Sequence, residues 1–219
     1  MKTVRIYGTA RNLRFAPSRD EGTEVWCANA PRTVSDRLKR NVGGEWTRWF
    51  NLHSKAHILG TYPSGWHFYQ HGAVGRPIYM LKAHEEIATS VAFPGAAIQQ
   101  AFAVDGRLIR YFTCSVCWLI AFAILEGFER IELWGFELRD TKPGSAFAWE
   151  RPCVAYWIQQ ARDRGVDITY QIEIARLYEQ GLLVPGDPTT YSGPLYGYDT
   201  KPEEGWDSLA GQFIESIHG

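Results

Sequence analysis

A chain of 219 residues, 45 % hydrophobic and 14 % aromatic with nine tryptophans, has the apolar content for one sizeable core, which excludes a disordered chain. Its formal net charge of −1 excludes a protein that coats nucleic acid through bulk positive charge. Four scattered cysteines fit a reducing, cytoplasmic compartment better than a disulfide framework. The longest apolar run, Val116 to Leu125, has about ten residues where a membrane span needs 17–25, so no membrane partner is expected.

Taken in chain order, "TVRIY" (residues 3–7) reads as a first strand ending at Gly8, followed by the loop "GTARNLRFAP". "EVWCA" (24–28) is a second strand closing on Asn29, and "PRTVSDRLKRN" a short polar helix. "TRWFNLHS" reads as a third strand ending at His53, and residues 55–72 as helical or irregular with aromatic character. "RPIYML" is a fourth strand, and residues 84–102 hold a short helix and a Pro-Gly break. Thr113 and Ser115 suit the start of a helix that is apolar on every face and ends near Gly127, as expected of a helix buried among other elements. "RIELWGF" is then a short buried strand, with the polar loop "ELRDTKPGSAFAWER" leaving its end. A helix over residues 150–164 and a strand "VDITY" follow. Strands alternating with helices specify an α/β protein with a mostly parallel sheet flanked by helices, and loops at the carboxyl ends of such strands bind ligands.

Past Tyr170 the composition changes. Residues 172–183 read as a last helix, residues 184–206 as an extended arm rich in Pro, Gly and Tyr, and residues 206–219 as a terminal helix. The expected organisation is a core over residues 1–175 and an arm over residues 176–219. The arm is expected to pack on the core or to clasp a second copy of the chain, which would make a homo-oligomer, in preference to forming a ligand lid.

Cys114 and Cys117 form a Cys-x-x-Cys, yet no second pair stands at similar spacing and the neighbours are bulky. Buried thiols packing a helix account for them better than zinc or a redox pair. His67 and His71 are four apart, with His57 upstream, but no Glu lies between them as a metalloprotease helix requires, so no metal site is expected. His53 ends a strand on the ligand-binding side, and an imidazole suits proton abstraction near neutral pH; capping of local backbone is the alternative. Glu150 and Arg151, after the long loop, could take a proton and hold a phosphate, or form a helix-terminal carboxylate and a surface ion pair. Asp105 and Asp140 are loop acids with no identifiable partner.

Three segments in order, a first strand ending in Gly, "WCANA" and "SVCWLIAFAILEGFERIELWGFEL", resemble bacterial lipooligosaccharide sialyltransferases. Motility accessory factors and archaeal pterin pyrophosphokinases are related Rossmann-like proteins. The tail "PLYGYD" is similar to that of phage-encoded proteins with this core. The resemblance spans residues 4–170 and implies a Rossmann-like fold with a nucleotide lying across the strand ends. Gly8, Thr9, Asn29 and Ser115 would grip it, with Gly135 at the same edge and Glu137 in the place of the family's Asp. The chain has "GTARNL" where the family has Gly-x-Gly-Pro-Ser, and no histidine in "SAFAWERPCVAYW", where the family keeps its general base. His53 or Glu150 would replace that base.

The activity so implied is that of a nucleotide-sugar-dependent glycosyltransferase, with the nucleotide sugar as donor and no resident cofactor. A Mg²⁺ ion would enter only with pyrophosphokinase-type transfer, at Glu137. The acceptor would be a glycan or, in a phage setting, a modified DNA base; DNA would need a basic face around Arg32, Arg37, Lys39 and Arg40. The alternative is a non-catalytic Rossmann-like binder that sequesters a nucleotide signal or recognises a glycan.

Overall fold

The computed structural model describes residues 1–17, 19–29, 46–71, 75–138 and 146–199. Seven strands form one sheet: β1 (Thr3–Tyr7), β2 (Thr23–Ala28), β3 (Arg48–Asn51), β4 (Ile78–Met80), β5 (Ser90–Ala92), β6 (Arg130–Trp134) and β7 (Asp167–Tyr170). Every pairing is parallel and the order is β5-β4-β3-β2-β1-β6-β7. The sheet is therefore wholly parallel, beyond the mostly parallel expectation.

Parallel strands buried on both faces need apolar residues at successive positions; β2 and β3 supply them at residues 25–28 and 49–50, and β1 supplies them on either side of the buried Arg5. Val4, Ile6, Trp26, Ala28 and Phe50 point into one core cluster, and Tyr7, Val25, Cys27 and Trp49 into a second. The period of two places the clusters on opposite faces. The first is covered by α3 (Gly95–Ala101), α4 (Ser115–Leu125) and α5 (Ala146–Asp163). The second is covered by α1 (Lys55–Thr61) and α2 (Pro63–His71), through Ile58, Trp66 and Tyr69. The last helix among the described residues, α6 (Ile172–Glu179), follows β7 and crosses the boundary expected at residue 175.

Helix α4 is buried from Ser115 to Ala123, wedged among α3, α5 and β1. Its all-apolar composition is explained by this central place. Among the described residues no helix is long and apolar enough to cross a membrane.

Several expectations change. Residues 84–102 contain β5, a three-residue edge strand with Val91 39 % exposed, too short and too exposed to leave an apolar signature. The loop after β1 contains a 3₁₀ turn, Arg11–Phe15. Strand β3 ends at Asn51, two residues before His53. Helix α5 begins at Ala146, four residues before the expected start at Glu150, and carries Pro152 inside it. The polar helix over residues 31–41, the terminal helix over residues 206–219, the basic residues Arg32, Arg37, Lys39 and Arg40, and Asp140 lie outside the described residues.

The described part of the arm lies on its own core. The Tyr196 N–H donates to the Phe112 carbonyl at 3.0 Å, and Trp118 Nε1 donates to the Tyr196 carbonyl at 3.2 Å. Gly197 adopts φ +84° and sits so close to the end of β3 that a Cβ there would stand 2.5 Å from the Leu52 carbonyl. Arg110 and Asp199 form an ion pair, and Asp199 also accepts from the Leu195 N–H at 2.6 Å.

Candidate functional site

The chain runs outward from β1 to β5 and then returns to β6 on the other side of β1, so the sheet reverses between β1 and β6. Open α/β sheets bind ligands outside the carboxyl ends of strands at such a reversal. A cavity of about 610 Å³ lies there, lined among others by Gly8, Thr9, Asn29, Ser115, Gly135 and Glu137, together with Glu150 and Tyr196. Every nucleotide-site candidate named from sequence is on its wall. His53 and Arg151 are not among the lining residues.

The floor is made by two glycines. The Gly8 N–H donates to the Trp134 carbonyl at 2.8 Å, and the Ala10 N–H to the Gly135 carbonyl at 2.9 Å, so the ends of β1 and β6 lie backbone to backbone. A Cβ on Gly8 would stand 2.5 Å from the Gly135 oxygen and 2.6 Å from the Phe136 ring. Gly135 has φ +76°, and its N–H donates to the buried Gln171 Oε1 at 2.6 Å. Gly8→Ala is expected to lower stability by about 1–3 kcal/mol through overpacking against backbone, read as a lower urea midpoint at unchanged m-value.

Two non-glycine wall residues hold left-handed backbone. Asn29, at φ +65°, is a residue that tolerates this conformation. Its N–H donates to the Phe50 carbonyl at 2.8 Å, and its own carbonyl accepts from the Tyr69 hydroxyl and Trp49 Nε1, each at 3.1 Å. Leu138, at φ +44°, is a bulky residue for which the conformation is strained. Arg151 Nε donates to its carbonyl at 2.8 Å. Arg151 thus fastens the strained turn beside the cavity instead of lining the cavity itself.

The amino end of α4 opens on the cavity through Cys114, Ser115 and Val116. Its N-cap, Cys114, makes no side-chain cap, and the first N–H groups of a helix have no intrahelical partner. Such an end favours an anion by geometry and by the helix dipole. Elsewhere the described wall carries two carboxylates, Glu137 and Glu150, and no Lys, Arg or His side chain.

Behind the wall runs a buried polar chain. Ser115 Oγ lies 3.0 Å from Asn29 Oδ1 and 3.2 Å from the Tyr196 hydroxyl. That hydroxyl is 2.9 Å from His53 Nε2, and His53 Nδ1 is 2.8 Å from Asn51 Oδ1. Asn51 is fully buried, and its Nδ2 donates to the Tyr69 hydroxyl at 2.6 Å. Burial, and then the neighbouring His57 stacked at 4.6 Å, lower the His53 pKa from 6.5 to about 3. The ring is neutral at pH 7 and a weak base. Burial pushes the Tyr196 phenol well above its ordinary value, so it keeps its proton.

Tyr196 and Asn51 were not singled out by sequence reasoning. Only the Gly and Tyr of "PLYGYD" hint that the arm makes a close, specific turn.

Among the described residues no group of three or more His, Cys, Asp or Glu is arranged to hold a metal ion. Cys114 and Cys117 are free buried thiols with sulfurs 3.4 Å apart, and burial raises the Cys117 pKa. The His67 and His71 rings lie 4.6 Å apart on α2.

No family model and no curated protein matches the chain. Among solved structures it is similar to the sialyltransferase CstII from Campylobacter jejuni in complex with a substrate analogue, CMP-3FNeuAc. The TM-score is 0.52 at 14 % identity, over 97 % of this chain and 99 % of that one. A second structure of the same enzyme, in complex with cytidine-5′-monophosphate, gives 0.49 at 13 % identity over the same shares. At such identity the likeness is one of architecture: the chain has a sialyltransferase-like, Rossmann-like α/β fold.

Proposed function

We propose that the chain is a nucleotide-sugar-dependent glycosyltransferase that holds the nucleotide in the cavity between β1 and β6. The observation that carries this reading is convergence. Gly8, Thr9, Asn29, Ser115, Gly135 and Glu137 come from three separated segments, yet meet on one cavity at the sheet's reversal, facing the uncapped end of α4. The solved structure that shares the fold contains a CMP-linked substrate analogue, which makes cytidine nucleotides the first probes. The phosphate of the donor would face the amino end of α4, where charge developing on the leaving nucleotide meets the helix dipole. Glu150, on the wall, is the better placed base for an acceptor hydroxyl; His53 is separated from the cavity by Tyr196.

A non-catalytic nucleotide or glycan binder is the second reading. It is favoured by the neutral, recessed His53 and by a described wall without a cationic side chain. Incubation with a panel of nucleotide sugars separates the two readings. Release of free nucleotide that is lost in Glu150→Gln supports the transferase; tight binding with every donor recovered intact supports the binder.

The nucleotide site itself is tested with Ser115→Ala. Cys114, not Ser115, is the N-cap of α4, so the helix keeps its end. The lost hydroxyl removes the link from Asn29 to Tyr196, a neutral hydrogen bond of about 0.5–1.5 kcal/mol. CMP affinity is expected to fall roughly two- to ten-fold, measured by calorimetry. Unchanged affinity with a lowered melting temperature would leave Ser115 a structural residue only.

A further inference from the structure

Cys114 is the N-cap of α4 and Cys117 the third residue of the helix. Side chains at these two positions reach toward each other across the first turn, as the partners of a capping box do. Cys114 makes no side-chain cap, and its sulfur instead lies 3.4 Å from that of Cys117. The two thiols differ in access. Cys114 lines the cavity and is 7 % exposed, whereas Cys117 is fully buried. Burial pushes the Cys117 thiol well up, which keeps it protonated and inert on its own. Cys153 also neighbours Cys117, but it is fully buried and its thiol donates to the Tyr111 carbonyl at 3.3 Å. Cys27 lies in the core cluster on the other face of the sheet.

The bulky neighbours of this Cys-x-x-Cys suggest inert thiols, but the cavity beside Cys114 opens a chemistry that a closed core denies. We propose that Cys114 is a peroxide-reactive thiol approached from the cavity, and that Cys117 resolves its oxidised form into a disulfide across the first turn of α4. The Cys114 sulfur attacks a peroxide oxygen. An S–O bond forms, the O–O bond breaks, and the departing oxygen takes up the thiol proton. With hydrogen peroxide the products are a sulfenic acid and one water. The Cys117 sulfur then attacks the Cys114 sulfur. An S–S bond forms, and the hydroxyl leaves with the Cys117 proton as a second water. Two electrons pass in all from the thiol pair to the peroxide, and a dithiol reductant restores the pair by exchange. A nucleotide seated at the amino end of α4 would cover Cys114 and shield it. The thiol chemistry stands apart from the nucleotide reading above; the shielding rests on it.

The test treats the full chain with hydrogen peroxide at pH 7, blocks the remaining thiols with N-ethylmaleimide and maps the peptides by mass. A disulfide between Cys114 and Cys117, reversed by dithiothreitol, is expected while Cys27 and Cys153 keep their thiols. Cys117→Ser should stop at the sulfenic acid on Cys114, trapped with dimedone. Cys114→Ser should leave Cys117 reduced over the same time. CMP at a concentration equal to its Kd should slow the oxidation of Cys114 about two-fold, by mass action. Three results overturn the thiol pair: Cys114 oxidised no faster than Cys27 and Cys153, a disulfide mapped to Cys153, or no dimedone adduct in a Cys117→Ser variant that melts as the wild type does. The first two are read on the wild type and need no variant to fold. CMP that binds in calorimetry without slowing the oxidation overturns the shielding. CMP that does not bind overturns the nucleotide reading and the shielding together, while the mapped disulfide still decides the thiol pair.

Discussion

Trp118→Ala is expected to cost about 3–5 kcal/mol of stability, the range for truncating a buried aromatic ring to a methyl group. Trp118 is fully buried on α4, stacked on Phe112 with centroids 3.6 Å apart and planes within 3°, and edge-on to Phe93 at 5.6 Å. Its Nε1 donates to the Tyr196 carbonyl, and its ring lies 5.7 Å from that of Tyr198, so it also anchors the arm. The substitution opens a void and removes the bond that seats the cavity's Tyr196. Against a typical total of 5–15 kcal/mol the loss leaves a marginal protein. Urea unfolding measures it, and limited proteolysis at low urea should show cleavage within residues 184–199 before the core opens. A loss under 1 kcal/mol would mean that the ring does not carry the packing assigned to it.

Arg5→Met is the second large effect, about 3 kcal/mol. Arg5 and Glu132 stand opposite each other in the β1–β6 register and are 5 % and 8 % exposed. Arg5 Nε meets Glu132 Oε2 at 2.8 Å, while Arg130 Nε meets Glu132 Oε1 at 3.0 Å and Asp20 pairs with Arg5. Removing one partner of a buried pair strands the other, at about 3–5 kcal/mol. Arg130 still reaches Glu132, which holds the expected loss at the lower end. Adding Glu132→Leu removes the stranded carboxylate and should recover part of the loss, so a double-mutant cycle gives a coupling energy. Additive losses would show that the two side chains act independently. The pair matters for function because it ties β1 to β6 just below the cavity.

Where the sequence speaks through local pattern, the structure agrees with it. Short strand-like segments of alternating or apolar residues mark β1, β2 and β6, and their polar exits bring Gly8, Asn29 and Gly135 to one edge, because parallel strands share a direction. The short edge strand β5 has one partner and half-exposed residues, so nothing periodic announces it. Helix α5 starts four residues earlier than its expected start at Glu150, inside the stretch that reads as a polar loop. Tyr196 was invisible as a wall residue because it reaches Ser115 across 81 positions of chain, through an arm whose path is set by tertiary contacts. His53 follows the carboxyl end of β3, but whether such a side chain meets ligand or turns to a neighbour depends on what packs over it. Here Tyr196 and His57 do.

The position of bound CMP in a crystal of the full chain tests the central claim most directly. The phosphate should lie against the backbone N–H groups that open α4 at Ser115 and Val116, with the Gly8–Gly135 floor beneath the nucleotide. CMP found instead in the smaller cleft of about 380 Å³ beside Arg107 and Arg110, or nowhere on the carboxyl edge of the sheet, would contradict it.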